Sequence, residues 1–466
     1  MSPLPGSSTV PSGGDHLGSR AVVLGAGTAG LLVARVLSES YEAVVVVERD
    51  RLADEPAQRP GIPQGRHAHA LLSGASETLN RLFPGMLDEL VTAGATRLDE
   101  GDLSRACFRF GGHELKRSGR FRDPSPLGMH FATRPFLEGH LRRRVRTIPN
   151  VEILDGHDSA ELKSTDRQRI TGVRVVNRAT GCSSELNAEL VVDAMGRGAR
   201  TPASLESLGY RRPAEDRLAV HLVYTSQLIR LPAGAVTEKA VLIGPIPDRP
   251  TLTALLACEH NTSMLTVGSL AGCEPPTDRA GLIAAASKCV PPSVLDALRS
   301  SEPLSEVCVY KFPSSVRRRY DKMRHFPMGL VVVGDALCSF NPIYGQGMSV
   351  AAFEAAALQE CLRDGDADLG RRFFRATAKF VGNAWNMAVS ADLALPQIDG
   401  RRSMSTRLMN RYIERVLAAA ESDIVVAEQF IRVENLVDPP QSLLHPSFVR
   451  RIAAANRRRG SARRLG

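Results

Sequence analysis

Tryptophan is almost missing from this sequence: Trp385 stands alone among 466 residues, and aromatics make up only 5%. Other shortages exclude whole classes of protein. No apolar run approaches the ~20 residues that span a bilayer, so no integral membrane span is expected. The opening MSPLPGSSTVPSGGDHLGSR lacks the apolar core of a signal peptide and reads as a flexible leader over residues 1–19. None of the eight cysteines stands in a CxxC pair, which argues against a zinc site or redox couple. Scattered thiols instead suit a reducing cytoplasm. His67 and His69 have no third ligand at a recognisable spacing, so no metal site is expected. Acid is absent from the C-terminal end: Arg450 to Gly466 holds seven arginines and no carboxylate, and accounts for most of the net charge of +9. The body is therefore near neutral, no nucleic-acid partner is expected, and the basic tail over 451–466 reads as the solvated end of a helix.

What is present is ordinary for a soluble globular chain, 43% apolar and 23% charged. The length allows two or three domains or one large composite fold. From Arg20 the sequence runs AVVLGAGTAGLLVARVL. Ala21 to Leu24 reads as a buried strand, Gly25, Gly27 and Gly30 make GxGxxG, and a helix follows from Leu31. Ala43 to Val47 is a second strand ending in Glu48, eighteen residues past the last glycine. The first glycine allows a tight turn, the second lets backbone approach a pyrophosphate, and the third lets helix pack on strand. Glu48 can accept ribose hydroxyls. A dinucleotide site is the expectation.

Two further strand ends are punctuated the same way. ELVVDAMGRGAR ends a strand at Asp193, with Gly196 and Gly198 bracketing an arginine. GLVVVGDALCSFNPIYGQGMSVA passes from a buried strand at Leu330 to Val333, through a Gly-rich loop, into a helix after Met348. Such a loop aims several backbone N–H groups and a helix's positive end at one point, which suits a phosphate or a ring with developing negative charge.

Between these ends lie less specific stretches. RPGIPQGRHAHALL, from Arg59, forbids a helix until about His67. It crowds Arg59, Arg66, His67 and His69 into one loop, either as exposed loop charge or as groups reaching a pyrophosphate or flavin. Ser73 to Leu90 reads as an amphipathic helical region. A helix over Thr133 to Val145 places Arg134 at its start, against the dipole, and so beside something anionic. Strands are expected near 103–115, over 151–192, and at 218–225, 240–246, 251–258 and 264–269, the last group forming a mostly antiparallel sheet. Thr277 to Leu298 reads as helix. Val307 to Phe312 reads as strand, followed by a basic turn at Arg317 to Arg319.

The triple of GAGTAG with Glu48, DAMGRGART and GDALCSFNPIYGQGM resembles the FAD-dependent monooxygenases of the p-hydroxybenzoate hydroxylase and squalene epoxidase type, over roughly residues 20 to 365. Within that group RPGIPQGRHAHALLSG, ATRPFL and DAMGRGART are most similar to bacterial epoxidases of polyether antibiotic biosynthesis. The resemblance implies an α/β fold, a glutathione-reductase-like, Rossmann-like FAD domain over 20–102, 130–205 and 320–365. It would be interleaved with an antiparallel substrate domain over 103–129 and 206–319, with a helical C-terminal region over 366–450. It places Gly25, Ala26, Gly27, Thr28, Ala29 and Gly30 against the FAD pyrophosphate, Glu48 and Arg49 at the adenosine ribose, and Asp335 at the ribityl chain. Arg59, Arg66, Arg134, Asp193 and Gly196 join them as cofactor contacts. Pro342, Gly345, Gln346, Gly347 and Met348 form the catalytic loop beside the isoalloxazine.

Aromatic hydroxylases of the group usually carry Asp-Gly where this chain has Asp193-Ala194, which speaks against their handling of NADPH. No second dinucleotide fingerprint exists, so NAD(P)H would bind transiently or a separate flavin reductase would deliver electrons. The expected reaction is insertion of oxygen by an electrophilic flavin hydroperoxide into an alkene of a large apolar polyene or polyketide. That step needs a dry pocket, a positioned double bond and stabilised charge on the flavin, but no base. Hydroxylation of an aromatic polyketide, reduction of prenyl chains, and non-catalytic nucleotide binding are the alternatives. The paired-Trp motif of flavin halogenases cannot exist with Trp385 alone.

Overall fold

The computed structural model describes residues 16–98 and 101–465, and no side chain beyond Arg459. Most of the leader expected over 1–19 thus lies outside the described residues. The frame is a five-stranded parallel sheet in the order Leu330–Val332, Leu190–Asp193, Gly18–Leu24, Tyr41–Glu48, Val151–Asp155. Four of its strands carry β-branched runs buried on both faces, as a parallel sheet requires, while the edge strand Val151–Asp155 is half-exposed. Val22, Val23, Val44, Val46, Val191, Val192 and Val331 are all fully buried. The helix Thr28–Leu37 covers one face and packs against Gly347–Arg363. Register pairs Leu24 with Asp193 and Asp193 with Val332. Parallel pairing therefore brings three strand ends, far apart in sequence, to one edge of one sheet, where ligands of such sheets bind.

A second, larger sheet is mostly antiparallel. Its order is Cys338–Ser339, Cys308–Arg318, Glu215–Arg230, Ser263–Ser269, Thr251–Ala257, Ala240–Ile243, Ala106–Phe110, His113–Glu114. Ala240–Ile243 pairs parallel to Ala106–Phe110. The strand Cys308–Arg318 continues through the arginines where a basic turn was expected. The reason is cross-strand charge: Arg317 lies opposite Asp216 and Arg318 opposite Glu215, and Arg318 contacts Glu215 at 3.3 Å.

Three other expectations change. The 151–192 region holds two additional polar strands, His157–Ser164 and Ser183–Asn187, flanking Ile170–Asn177 in an antiparallel meander. Their sequences, HDSAELKS and SSELN, carry no apolar alternation, so tertiary pairing overrides weak propensity. The helical stretches near 73–90 and 277–298 are each broken by proline, into Ser73–Leu82 with Met86–Thr92, and Arg279–Ser287 with Pro292–Arg299.

The C-terminal region comprises the helices Leu369–Asp392, Met404–Ala420, Ile424–Glu434 and Pro446–Leu465. The last runs straight across the expected start of a tail at 451. Arg451 contacts Asp423 at 2.8 Å and Arg459 contacts Glu421 at 2.7 Å, so basic residues of this segment are docked on the preceding helices. Among the described residues no helix is long and apolar enough to cross a membrane.

A Cβ placed on Gly30 would fall 1.9 Å from the carbonyl oxygen of Gly25. The Gly30→Ala variant should therefore lose at least ~3 kcal/mol of stability or fail to accumulate folded, measured by chemical denaturation.

Candidate functional site

The three strand-end loops and the 59–70 loop enclose a cavity of about 800 Å³ that extends onto the antiparallel sheet. Close glycine contacts hold the three loops together. Gly25 has φ +104°, and a Cβ there would lie 2.7 Å from the Ala194 carbonyl oxygen. A Cβ on Gly334 would lie 3.0 Å from that of Ala29. First meets second at Gly25, and third meets first at Gly334. Side chains are excluded so that three backbones can converge.

One end of the cavity is charged and internally satisfied. Arg59, 8% exposed, sits between carboxylates. Its Nη1 contacts Glu48 Oε2 at 2.8 Å, and its Nη2 contacts Glu138 Oε2 at 3.2 Å and donates to the Ala26 carbonyl at 2.9 Å. Glu48 also accepts the Ala26 N–H at 2.8 Å and the Asp50 N–H at 3.0 Å. Arg134 donates to Glu138 Oε1 at 2.9 Å from the first turn of the helix Arg134–Arg146. Thr28 donates to the same oxygen at 3.2 Å. Burial alone would push the Glu138 carboxyl up, but Arg134 and Arg59 more than offset it and hold the group below its ordinary value. Burial would likewise lower Arg59, yet Glu138 and Glu48 keep it above its ordinary value. The carboxylate partner of Arg134, a residue expected beside an anion, is thus Glu138, four residues along its own helix.

Farther along, Asp335 lines the cavity, and among the described residues no protein donor reaches its carboxylate. Burial pushes its carboxyl up, opposed by Arg134, Arg197 and Arg318. Behind it Glu354, fully buried, accepts the Gly334 N–H at 2.5 Å, and burial pushes its carboxyl up to about 8. The loop 341–347 is anchored from a different helix. Asp392 accepts from Asn341 Nδ2 at 2.7 Å and from the Tyr344 hydroxyl at 2.8 Å, and burial pushes it up to about 7.

The expected site residues divide accordingly. Gly25, Gly27, Thr28, Ala29, Glu48, Arg49, Arg59, Arg134, Gly196, Asp335, Pro342, Gly345, Gly347 and Met348 line the cavity. Five do not. Ala26 is buried in the turn, and Gly30 lies where helix crosses strand. Asp193 is fully buried, its carboxylate turned to the Met195 N–H at 2.9 Å and the Thr201 hydroxyl at 2.5 Å, so it braces the second loop. Arg66 points outward, 3.6 Å from Cys308 Sγ. Gln346 is buried and donates to the Glu434 carbonyl at 3.0 Å, away from the cavity. Arg59 corrects the exposed-loop alternative, since its guanidinium is among the best partnered groups in the chain.

Sequence reasoning missed Arg197, His67, Tyr224, Tyr310 and Phe312 as one lining group. Arg197 stacks over the Phe312 ring at 4.0 Å and donates to Ser339 Oγ and the Ser314 carbonyl, each at 3.0 Å. The only signal for it was its position inside GRG.

No protein-family model matches the chain. It is 36% identical over 449 residues to Protein Rv3254 of Mycobacterium tuberculosis, covering 94% of each. It is 25% identical over 365 residues to kynurenine 3-monooxygenase of Salinispora arenicola, covering 74% of this chain and 72% of that one. The p-nitrophenol 4-monooxygenase PnpA from Pseudomonas putida superposes with a TM-score of 0.65 at 17% identity, over 90% of this chain and 98% of that one. The fold is that of the FAD-dependent monooxygenases.

Removing Arg59 leaves Glu48 and Glu138 buried without their shared counter-charge. Arg59→Met should cost on the order of 3–5 kcal/mol, read by denaturant titration. Glu354 makes a pH signature. A carboxyl raised in the folded state favours folding when protonated and loses that advantage as pH climbs from its unfolded value toward about 8. Across pH 5 to 9 the melting temperature of wild type should therefore fall relative to that of Glu354→Gln. An unchanged difference between the two proteins would contradict this.

Proposed function

The chain belongs to the family of Mycobacterium tuberculosis Protein Rv3254, and from that premise we propose that it is an FAD-dependent monooxygenase, an epoxidase that places one atom of O₂ on an alkene of a large, mainly apolar polyene or polyketide. The observation that carries the cofactor is Asp335, a buried-side carboxylate without a protein donor, aimed into a cavity whose other end is the GxGxxG turn. A ribityl hydroxyl chain is the kind of donor it lacks. The open cradle at Gly27 and Gly347 leaves room for the rest: a Cβ at Gly347 would meet nothing within 4 Å. The residues present therefore fit FAD. Gly25, Gly27 and Ala29 would face its pyrophosphate, Glu48 and Arg49 its ribose, Asp335 its ribityl chain, and Gly345 to Met348 its ring.

Bound and reduced, FAD supplies the activation of oxygen. The chain supplies the surroundings. The backbone at the start of the helix Gly347–Arg363 presents N–H groups and a positive helix end to the ring, and Asp392 holds that loop through Asn341 and Tyr344. Electrons come from NAD(P)H, bound transiently or relayed by a reductase, since GAGTAG is the sole dinucleotide fingerprint.

Epoxidation is favoured over phenol hydroxylation by the acid–base character of the far wall. Burial, together with the Arg66 charge, lowers His67 to about 4, so it is a poor base toward a phenol. Burial pushes the Tyr224 hydroxyl well up. An alkene needs neither group to take a proton. The similarity of RPGIPQGRHAHALLSG to polyether-biosynthesis epoxidases points the same way.

Asp335→Ala should lose FAD at least tenfold in affinity, measured by flavin fluorescence titration. Gly347→Val should retain FAD and slow turnover. Incubation with FAD, a reductant, a polyene ketone and ¹⁸O₂ should give an epoxide carrying label. Unlabelled product, or turnover without oxygen, would point to a reductase instead.

A further inference from the structure

The substrate wall carries a chain of hydrogen bonds with a defined direction. On the strand Glu215–Arg230, Tyr224 and Ser226 are two residues apart and face the same side. Tyr224 pairs across to Tyr310, and Ser226 pairs across to Thr266. His67 comes over them from the 59–70 loop, its ring 5.7 Å from Tyr224 and 5.9 Å from Tyr310. Its Nδ1 lies 2.7 Å from Ser226 Oγ, which lies 2.6 Å from Thr266 Oγ1. Thr266 Oγ1 accepts the backbone N–H of Ala68 at 3.1 Å.

A backbone N–H donates and never accepts, so the chain has one polarity that satisfies every group. Ala68 donates to Thr266, the Thr266 hydroxyl donates to Ser226, and the Ser226 hydroxyl donates to His67 Nδ1. The reverse order leaves the hydrogen of the Thr266 hydroxyl buried without an acceptor, since Ser226 is its sole other neighbour of that kind. With Nδ1 accepting, the ring proton sits on Nε2. Among the described residues no protein group takes that proton. His67 is 3% exposed, lines the cavity, and has no partner at Nε2. Beside it Tyr224, 7% exposed, also lines the cavity, and its hydroxyl has no protein partner among the described residues. Tyr310 accepts from Gln64 Nε2 at 3.1 Å, which leaves its own hydrogen free to donate into the cavity.

We propose that His67 Nε2–H, with the Tyr224 hydroxyl beside it, is a specificity site for an uncharged acceptor oxygen of the substrate, a ketone carbonyl borne on the unsaturated skeleton. Unpartnered donors on this buried wall reject a pure hydrocarbon, which would leave them unpaired. They bind a carbonyl without the desolvation cost of a carboxylate. The site belongs to the substrate side of the cavity, because Tyr224, Ser226, Thr266 and Tyr310 stand on the antiparallel sheet and the 59–70 loop lays His67 against them. This deepens the oxygenase reading, which supplies the identity of the cavity as a substrate pocket.

The test uses the FAD-loaded protein with benzophenone and diphenylmethane, a pair that differs only in carbonyl against methylene. Binding is followed by calorimetry, and the carbonyl stretch of ¹³C-labelled benzophenone by infrared difference spectroscopy. Wild type should prefer the ketone at least tenfold and shift its carbonyl stretch to lower frequency. His67→Phe should reduce the preference below threefold and abolish the shift, whereas His67→Gln, which keeps an N–H near the Nε2 position, should restore much of both. Ser226→Ala, which removes the donor to Nδ1, should weaken the preference while leaving FAD content unchanged. Equal binding of the two probes, or binding of neither, overturns the proposal. So does a wild-type preference that survives in His67→Phe. Loss of FAD in His67→Phe would place the histidine on the cofactor and overturn it also. FAD content is read in the same samples, so a wild type that holds no FAD defeats the cofactor reading by itself, independently of the probe result.

Discussion

The buried guanidinium of Arg59 is the contact on which the site most depends. It joins three pieces of chain with no covalent reason to meet: Glu48 at the end of the second parallel strand, the Ala26 carbonyl in the glycine turn, and Glu138 in the helix Arg134–Arg146. A charge so placed is tolerated only because each partner carries the opposite sign or an oriented dipole. Once Arg59 is held, the loop that carries it has little freedom, since Gly61 N–H is also taken by Asp50 at 2.7 Å. That loop then delivers His67, eight positions on, to the opposite wall. The same loop therefore orders two ends of one cavity, one at the glycine turn and one on the antiparallel sheet.

The two ends differ in electrostatic character. The glycine-turn end consists of ion pairs whose charges are spent on one another, so it offers shape, backbone N–H groups and the open carboxylate of Asp335. The far end offers aromatic faces with donors that stay neutral near pH 7, because burial keeps His67 deprotonated and Tyr224 protonated. Between them the 341–347 loop is pinned by Asp392 and backed by Glu354, buried carboxyls pushed up to about 7 and about 8. Stiffness is the common consequence.

Much of this was legible in the chain. β-branched runs ending in glycine marked the parallel strands, and the acid eighteen residues past GAGTAG marked the second of them. The split at Pro84 and Pro292, the polar strands of the 157–187 meander and the extension of Cys308–Arg318 through its arginines were not. A polar strand has no periodic signal of its own, and Arg317 and Arg318 become strand residues only when Asp216 and Glu215 stand opposite. For the same reason Arg59 could be read equally as exposed charge or as a ligand. Its partners are 11 residues back and 79 residues on, and proximity in sequence says nothing of the second.

By itself, then, the sequence determined the glycine-turn half of the cavity: strand, turn and helix are local objects, and a turn that admits only glycine announces itself in one line of residues. The half on the antiparallel sheet was decided by tertiary structure. Tyr224, Ser226, Thr266, Tyr310 and His67 come from four separate stretches, and apart from His67, in its basic loop, none stands out where it is. Antiparallel register places Tyr224 against Tyr310 and Ser226 against Thr266, and the loop anchored by Arg59 lays His67 across them. The direction of the resulting hydrogen-bond chain, and so the proton offered to the cavity, exists only in that assembly, because it starts from the backbone N–H of Ala68 on one segment and passes through side chains of two others.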